Sequence, residues 1–346
     1  MQPETATRPT QDWRQRSVLQ AVPEQWHRPL FALLLSVSAL LVLTAREWGE
    51  MFHQWWNIDT YSHILIVPIL IGWLVVMKRD ELKQVTPQGW VPGLGLLLAA
   101  LSLWFLGRIF EVNLLAHAGA VGAIQAVIVA VLGPRVLVLL FLPIAYGVFL
   151  VPFGDEIIPQ LQMITAAIAI ALTEWSGIPA EIDGIYINTP VGLFIVAEAC
   201  SGVKFLIAMI TLAVLVAFTR FQSWTRRALF MLVAIVVPII ANGIRAWGTI
   251  YIAQFQGVEF AAGFDHIFYG WIFFALVVGI VLAAAWRFFE VEPETYGYSN
   301  QDIDGSEWFA NVDKGATSSA VIAGTVAALI VAAWMLQAIV ANASLV

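Results

Sequence analysis

The chain contains a single cysteine, Cys200, within the run Glu198-Ala-Cys-Ser-Gly202. A thiolate attacks carbonyl carbon readily, and a thiol becomes a thiolate where its surroundings lower its pKa. Two further residues carry the complementary chemistry. Arg245 offers a guanidinium that can bind an oxyanion or a carboxylate, and His266 an imidazole that exchanges protons near neutral pH. Together they are the parts of a cysteine-dependent acyl transfer. Taken singly, each has a plainer reading. A lone cysteine is more often a small buried hydrophobe, a lone histidine is more often structural, and an arginine near a helix end can snorkel to the headgroups. The question is whether the elements that carry them bring all three together.

Composition sets the solvent. Of 346 residues, 60% are hydrophobic and 12% charged, about half the charge of a soluble domain. Several apolar runs reach the ~20 residues needed to cross a hydrocarbon core. The expected fold is an all-α polytopic membrane protein of eight or nine transmembrane helices. No long polar segment suggests a second soluble domain, and no basic, aromatic-rich stretch suggests nucleic acid. The lone cysteine excludes an internal disulfide and a cysteine-based metal cluster. Neither a cofactor nor a metal is expected. Asp302 and Asp304 with Gly305 share only part of a calcium-loop pattern.

Residues 1–29 are expected to form a cytoplasmic N-terminal tail, since no small-residue cleavage site stands out in them. Crossing helices are expected over 30–45, 62–77, 91–107, 112–131, 136–150, 198–219, 228–252, 266–289 and 318–341. Residues 30–290 form the core, 291–317 an acidic, solvated cytoplasmic connector, and 318–346 an extra C-terminal transmembrane helix. With the N-terminus inside, the basic groups Lys78, Arg79, Lys83, Arg135, Arg220, Arg226, Arg227 and Arg287 all fall on the cytoplasmic side, as positive-inside sorting requires. Between 150 and 198 the chain lies outside. Residues 157–175 read as an interfacial or re-entrant amphipathic helix, and the run after Glu181 as a small hairpin with a turn at Asn188–Pro190. Trp48, Trp55, Trp56 and Trp175 are expected as interface anchors. No internal repeat is visible.

On this topology Cys200, Arg245 and His266 open onto one external face from three different helices. Cys200 is expected in the first turn of the sixth crossing, where unpaired amides and the helix dipole favour thiolate. Lys204, four residues on, would project from the same face as a further cation or as an ion-pair partner of Glu198. Ser201 and Gly202 would allow close approach of an extended substrate, or serve only helix packing. An arginine inside a membrane costs roughly 2.5–3.5 kcal/mol on insertion scales, so Arg245 should face a cavity or a partner. Asn242, one turn earlier, could hold the guanidinium or contact substrate. Asp265 could cap the helix that His266 begins. Tyr61 and His63 open the second crossing on the same face, near Asp59 and Glu47, as a polar cluster or a substrate-positioning group.

The blocks Glu198-Ala-Cys-Ser-Gly, Asn242-Gly-Ile-Arg-Ala-Trp and Asp265-His-Ile-Phe-Tyr-Gly-Trp, with Tyr61-Ser-His upstream, resemble the exosortase/archaeosortase family, and within it the exosortase A type. The resemblance covers roughly residues 30–290. It implies a membrane-embedded cysteine transpeptidase, with Cys200, Arg245 and His266 as the catalytic triad. Its partners would be membrane-anchored proteins ending in a Pro-Glu-Pro sorting signal, a transmembrane helix and a basic tail. The remaining partners expected are the lipid bilayer and exopolysaccharide machinery. Candidate substrate-binding residues are Lys204, Asn242, Glu198, Ser201, Asp265, Tyr61 and His63. The chain departs from the family pattern at Lys204, commonly arginine, and at Phe205, often small or polar. The competing classes are a transporter, whose intramembrane charges would line a path, and a non-catalytic scaffold for envelope polysaccharide export.

Overall fold

The computed structural model describes residues 22–264, 272–312 and 316–343. Its helices are α1 (Glu24–Leu43), α2 (Ala45–Asn57), α3 (Val67–Met77), α4 (Arg79–Leu82), α5 (Val91–Ile109), α6 (Asn113–Leu139), α7 (Phe141–Tyr146), α8 (Ile158–Trp175), α9 (Val203–Arg220), α10 (Trp224–Gln256), α11 (Val258–Phe264), α12 (Phe274–Trp286), α13 (Asn300–Asp304), α14 (Glu307–Val312) and α15 (Ser319–Ala343). The strands are β1 (Gly89–Trp90), β2 (Glu181–Asp183), β3 (Tyr186–Thr189), β4 (Gly192–Ile195) and β5 (Ala316–Thr317). A 3₁₀ turn, Asp59–Ile66, leads into α3, and another, Gly147–Leu150, extends α7.

Among the described residues, eight helical segments are long and apolar enough to cross a membrane. This is the polytopic all-α fold that the composition implies. Large apolar side chains such as Phe31, Leu34, Leu229, Leu276 and Trp334 face outward, a liability in water but suited to lipid. At the centre, α5 and α6 approach through small residues. A Cβ at Gly93, Gly107 or Gly119 would run into the backbone of Ala130, Ala116 or Trp104 respectively. Near its end α6 kinks at Gly133, whose φ of 87° turns the chain against the Gln88 carbonyl.

Several boundaries differ from the sequence expectation. The first helix starts at Glu24, so it takes in the last residues assigned to the tail, and the indole N–H of Trp26 donates to the Val85 carbonyl at 3.0 Å. A separate amphipathic helix, α2, follows it, with Arg46, Glu47, Glu50 and His53 alternating with Trp48, Met51, Phe52 and Trp55. Trp48 and Trp55 are consequently packed against each other edge to face, whereas Trp56 and Trp175 remain exposed. Residues 155–175 are among the segments long and apolar enough to cross, while Phe141–Leu150 and Phe274–Trp286 are shorter. The first turns of α8 pack against α9 through Leu161, Val203, Leu206 and Ile207. Further along, α8 packs against α10 beyond Asn242 and against the hairpin.

The two ends of the bundle differ in charge. At one end the chain between α12 and α15 folds across the basic loops. Glu292 pairs with Arg220 at 3.5 Å, Asp304 with Arg135 at 2.8 Å and Glu290 with Arg226 at 3.1 Å. Tyr296 is buried, with its hydroxyl on the Leu74 carbonyl at 2.8 Å, and Ile303 is buried too. The acidic connector keeps carboxylates such as Glu292 and Asp304 largely in solvent, as its composition implies, but it is a strap anchored across the basic loops by buried Tyr296 and Ile303, with the ion pairs at its surface. The last helix is likewise integral. Ile322, Val326 and Ile330 of α15 share a core with Leu40, Leu97 and Val131.

The strap gives a pH test. The amides of Ser223 and Gln222 donate to Glu290 at 3.0 and 2.7 Å and, with Arg226 and Arg227, hold its carboxyl below the ordinary carboxylate value of 4.5. Asp302 is lowered in the same way by the Ser299 amide in a capping box. Lowered acids stabilise fully above their ordinary value and lose that contribution as pH falls through the folded value. Proteolytic cleavage between 290 and 304 should therefore accelerate as the pH falls below the ordinary carboxylate values of 4.5 and 3.8. In Glu290→Gln the onset should shift, because one of the two titrating carboxyls is gone.

Candidate active site

The sulfur lies at the end of the bundle away from the strap. α9 begins at Val203 beside it and ends at Arg220, which pairs with the strap. Cys200 is half-buried and closes a 3₁₀ turn, Glu198–Cys200, that follows β4. The expectation of Cys200 in the first turn of a helix is corrected. Its N–H donates to the Ala197 carbonyl at 2.8 Å, and Gly202, left-handed at φ 84°, separates the turn from α9. Lys204 therefore does not share a helical face with the thiol. Its ammonium reaches Asp59 at 3.4 Å, the carboxylate of the turn that also carries Tyr61 and His63.

Three local features fix the turn. Gly243 lets α8 and α10 meet, since a Cβ there would strike the Ile168 side chain. That approach brings Thr165 to Asn242. The Asn242 amide then donates to the Thr165 hydroxyl at 3.0 Å and to the Cys200 carbonyl at 2.8 Å. Gly202 completes the arrangement, because a Cβ on it would stand 2.7 Å from the Asn242 side chain.

Cys200 and Arg245 line one cavity of about 70 Å³, with Ile187, Phe194, Val196, Asn242, Ala246, Thr249 and Ile250 among its walls. The α10 contribution is a single stripe at positions 242, 245, 246, 249 and 250, the spacing of one helix face. At 1.5 Å per residue, Arg245 stands roughly 31 Å along α10 from Trp224, at the margin of a ~30 Å hydrocarbon core. On its other side the guanidinium lies 5.8 Å from the Phe205 ring centroid, near the outer limit for a cation–π contact. Phe205 stacks on Phe274 at 4.6 Å, and both line a second small cavity with Arg245, Phe273 and Val277.

The remaining candidates divide. Ser201 is buried and its hydroxyl accepts from the Val203 amide at 3.4 Å, so packing takes the place of the expected substrate approach. Asn242 is 4% exposed and its amide donates inward twice, so in this structure it holds the turn. Tyr61 is buried and donates to Asp155 at 2.6 Å, tying the start of α3 to the chain that leads into α8. His63 is half-buried with Nδ1 3.1 Å from the Thr60 carbonyl. Glu198 is exposed. Asp265 and His266 lie outside the described residues. Beyond their block the described chain resumes at Ile272, and Phe273 and Phe274 reach the wall of the second cavity against Arg245.

A family model described as transmembrane exosortase, Exosortase_EpsH, matches residues 55–283. That is about two thirds of the chain, and it contains every residue of the candidate site. The protein is a member of the transmembrane exosortase family. Comparisons with curated proteins and with solved structures give no match. The family is one of membrane sorting transpeptidases.

Thr165 and Thr249 belong to the site without having been expected there, and Phe205, noted only as a departure from the family pattern, lies against Arg245. Thr249 could have been found from its position one turn beyond Arg245. Thr165 sits in an apolar run with nothing to distinguish it. Glu47, expected in a polar cluster with Tyr61, His63 and Asp59, belongs instead to a separate polar group. Glu47, 2% exposed, meets Arg108 at 3.2 Å, and Glu50 meets Arg46 and His117. With Glu111, held at φ 54°, several of these line a separate polar cavity of about 380 Å³. None of its lining residues lines either cavity beside Arg245.

Proposed function

We propose that this exosortase, of the A type, is a cysteine endopeptidase and transpeptidase acting on PEP-CTERM-type sorting signals at the outer face of the cell inner membrane. The observation that carries the reading is the cavity shared by Cys200 and Arg245 at the end of the bundle opposite the basic loops. Positive-inside sorting assigns those loops to the cytoplasm and hence the sulfur to the external side. The substrate's sorting helix docks laterally in the bilayer and leaves its scissile segment at that face.

The Cys200 thiolate attacks the scissile carbonyl carbon, forming the C–S bond of a tetrahedral adduct. Arg245 holds the oxyanion, or the substrate's glutamate. Collapse breaks the C–N bond, and the departing amine takes from His266 the proton that the Cys200 thiol gave it, leaving a thioester. An amine, a glycan-linked group from exopolysaccharide machinery, or water then attacks the thioester, gives its proton to His266 and returns the thiolate. Asn242 and Gly202 are positioning residues for the turn. Tyr61 and His63 position the substrate from the turn that carries Asp59, together with Lys204, whose ammonium reaches Asp59. No metal or cofactor enters these steps.

Because Cys200 is the one thiol in the chain, a maleimide is a site-directed reagent. Alkylation by a membrane-impermeant maleimide applied from the external side should stop release of the C-terminal segment from a PEP-CTERM reporter. Undiminished release from fully alkylated protein would refute the reading.

A further inference from the structure

The hairpin that precedes the cysteine is a three-stranded sheet of order β2-β3-β4, with two different edges. The β2 edge carries Glu181 and Asp183, charges of the kind that keep an edge from pairing with other chains. The β4 edge, Gly192-Leu-Phe-Ile195, carries neither charge nor proline. It ends five positions before Cys200.

The register fixes what this edge presents. Phe194 pairs with Ile187 and Gly192 with Thr189, and the Val196 amide continues the ladder to the Ile185 carbonyl at 3.0 Å. Antiparallel strands alternate, so the N–H and C=O groups of Leu193 and Ile195 turn away from β3. The Ile195 carbonyl accepts from the Ala197 amide at 3.0 Å. The Leu193 N–H and C=O and the Ile195 N–H therefore line the open edge, where no strand pairs among the described residues. Leu193 and Ile195 are more than half exposed, and Phe194, Ile195 and Val196 all line the cavity that Cys200 and Arg245 share, so the open edge borders that cavity directly.

We infer that β4 is the substrate-docking strand: an extended peptide segment adds along its open edge, bonding by main chain to Leu193 and Ile195, which carries the scissile carbonyl to Cys200. This rests on Cys200 being the nucleophile. Strand addition draws affinity from the main chain and specificity from pockets that take alternate side chains. The pocket here is the shared cavity. At about 70 Å³ it exceeds the ~30 Å³ share of one water and falls short of the ~150 Å³ cavity that accepts benzene. It therefore has room for part of one substrate side chain, with Phe194, Ile187 and Ile250 among its walls.

Two experiments test the strand. In Ile195→Pro the outward N–H is lost at an edge position that tolerates proline. Processing of a PEP-CTERM reporter should fall at least tenfold in kcat/KM, chiefly through KM, while small-maleimide labelling of Cys200 keeps its rate. In the thiol-less Cys200→Ser chain, Leu193→Cys should form disulfides, under an added mild thiol oxidant, with single cysteines scanned along the reporter's scissile segment. Yields should peak at alternate positions. Uniform or absent cross-linking, or a disulfide joining two copies of the Leu193→Cys chain to each other in place of the reporter, overturns the inference. Cys200→Ala separates the two failures. If it leaves processing intact, the catalytic reading fails and the strand inference with it. If it abolishes processing while Ile195→Pro matches the parent, only the strand inference fails.

Discussion

Cys200→Ser should lower reporter processing by about 10³-fold or more, with insertion and thermal stability close to the parent. Serine nearly matches cysteine in volume and fits the same half-buried turn, whose hold on the chain is through main-chain groups. The Ala197 carbonyl accepts from residue 200, and the carbonyl of residue 200 accepts from Asn242. The chemistry changes far more than the packing. A hydroxyl is a much weaker nucleophile at neutral pH and needs a stronger base than a thiol does. Groups that act as one unit are also strongly non-additive. His266→Ala should therefore cost little more in the Cys200→Ser background, although alone it should cost most of the activity. Immunoblot release of the C-terminal segment measures both, and a Cys200→Ser chain that processes within tenfold of the parent would argue against a sulfur nucleophile.

Gly202→Ala should reduce turnover by about 10²-fold without touching any reacting group. Residue 202 sits at φ 84°, where an L side chain costs roughly 1–2 kcal/mol. The added Cβ would also stand 2.7–2.8 Å from the Asn242 carboxamide. Relieving that contact moves the donor that fixes the Cys200 carbonyl, and misplacement by about 1 Å is enough to lose 10² in rate. The double variant Gly202→Ala/Asn242→Ala distinguishes this cause from general unfolding. With the carboxamide gone, the methyl has less to strike, so the two changes should combine to less than the sum of their separate effects. Additive losses in turnover would place the defect elsewhere.

The parts legible in the sequence are those with a period or a charge pattern. Length and apolarity marked most of the segments long enough to cross, though 157–175 read as interfacial or re-entrant and 136–150 is broken at Leu139, and Arg135, Arg220 and Arg226 marked one end of the bundle, where they now pair with the strap. The 242/245 spacing marked one face of α10, which lines the cavity beside Cys200. What was not legible depended on long-range contact. The strap's acids are solvated as read, but its anchoring was not legible, because Tyr296 and Ile303 are buried only by distant parts of the chain. Cys200 read as helical because only folding shows that Gly202 turns left-handed against Asn242, far along the chain on α10. The amphipathic α2 was hidden by the tryptophans, which read as interface anchors although Trp48 and Trp55 pack inward. Thr165 and the Glu47–Arg108 pair gave no local signal, since each has meaning only through its partner.

The central claim is that the Cys200 sulfur becomes covalently bonded to the substrate's carbonyl carbon. Quenching a processing reaction with acid and mapping the protein by mass spectrometry tests it directly. The account predicts a hydroxylamine-labile mass on the peptide containing Cys200, equal to the upstream product joined through a thioester. An unmodified Cys200 during active processing, or an acyl mass on another residue, would contradict it.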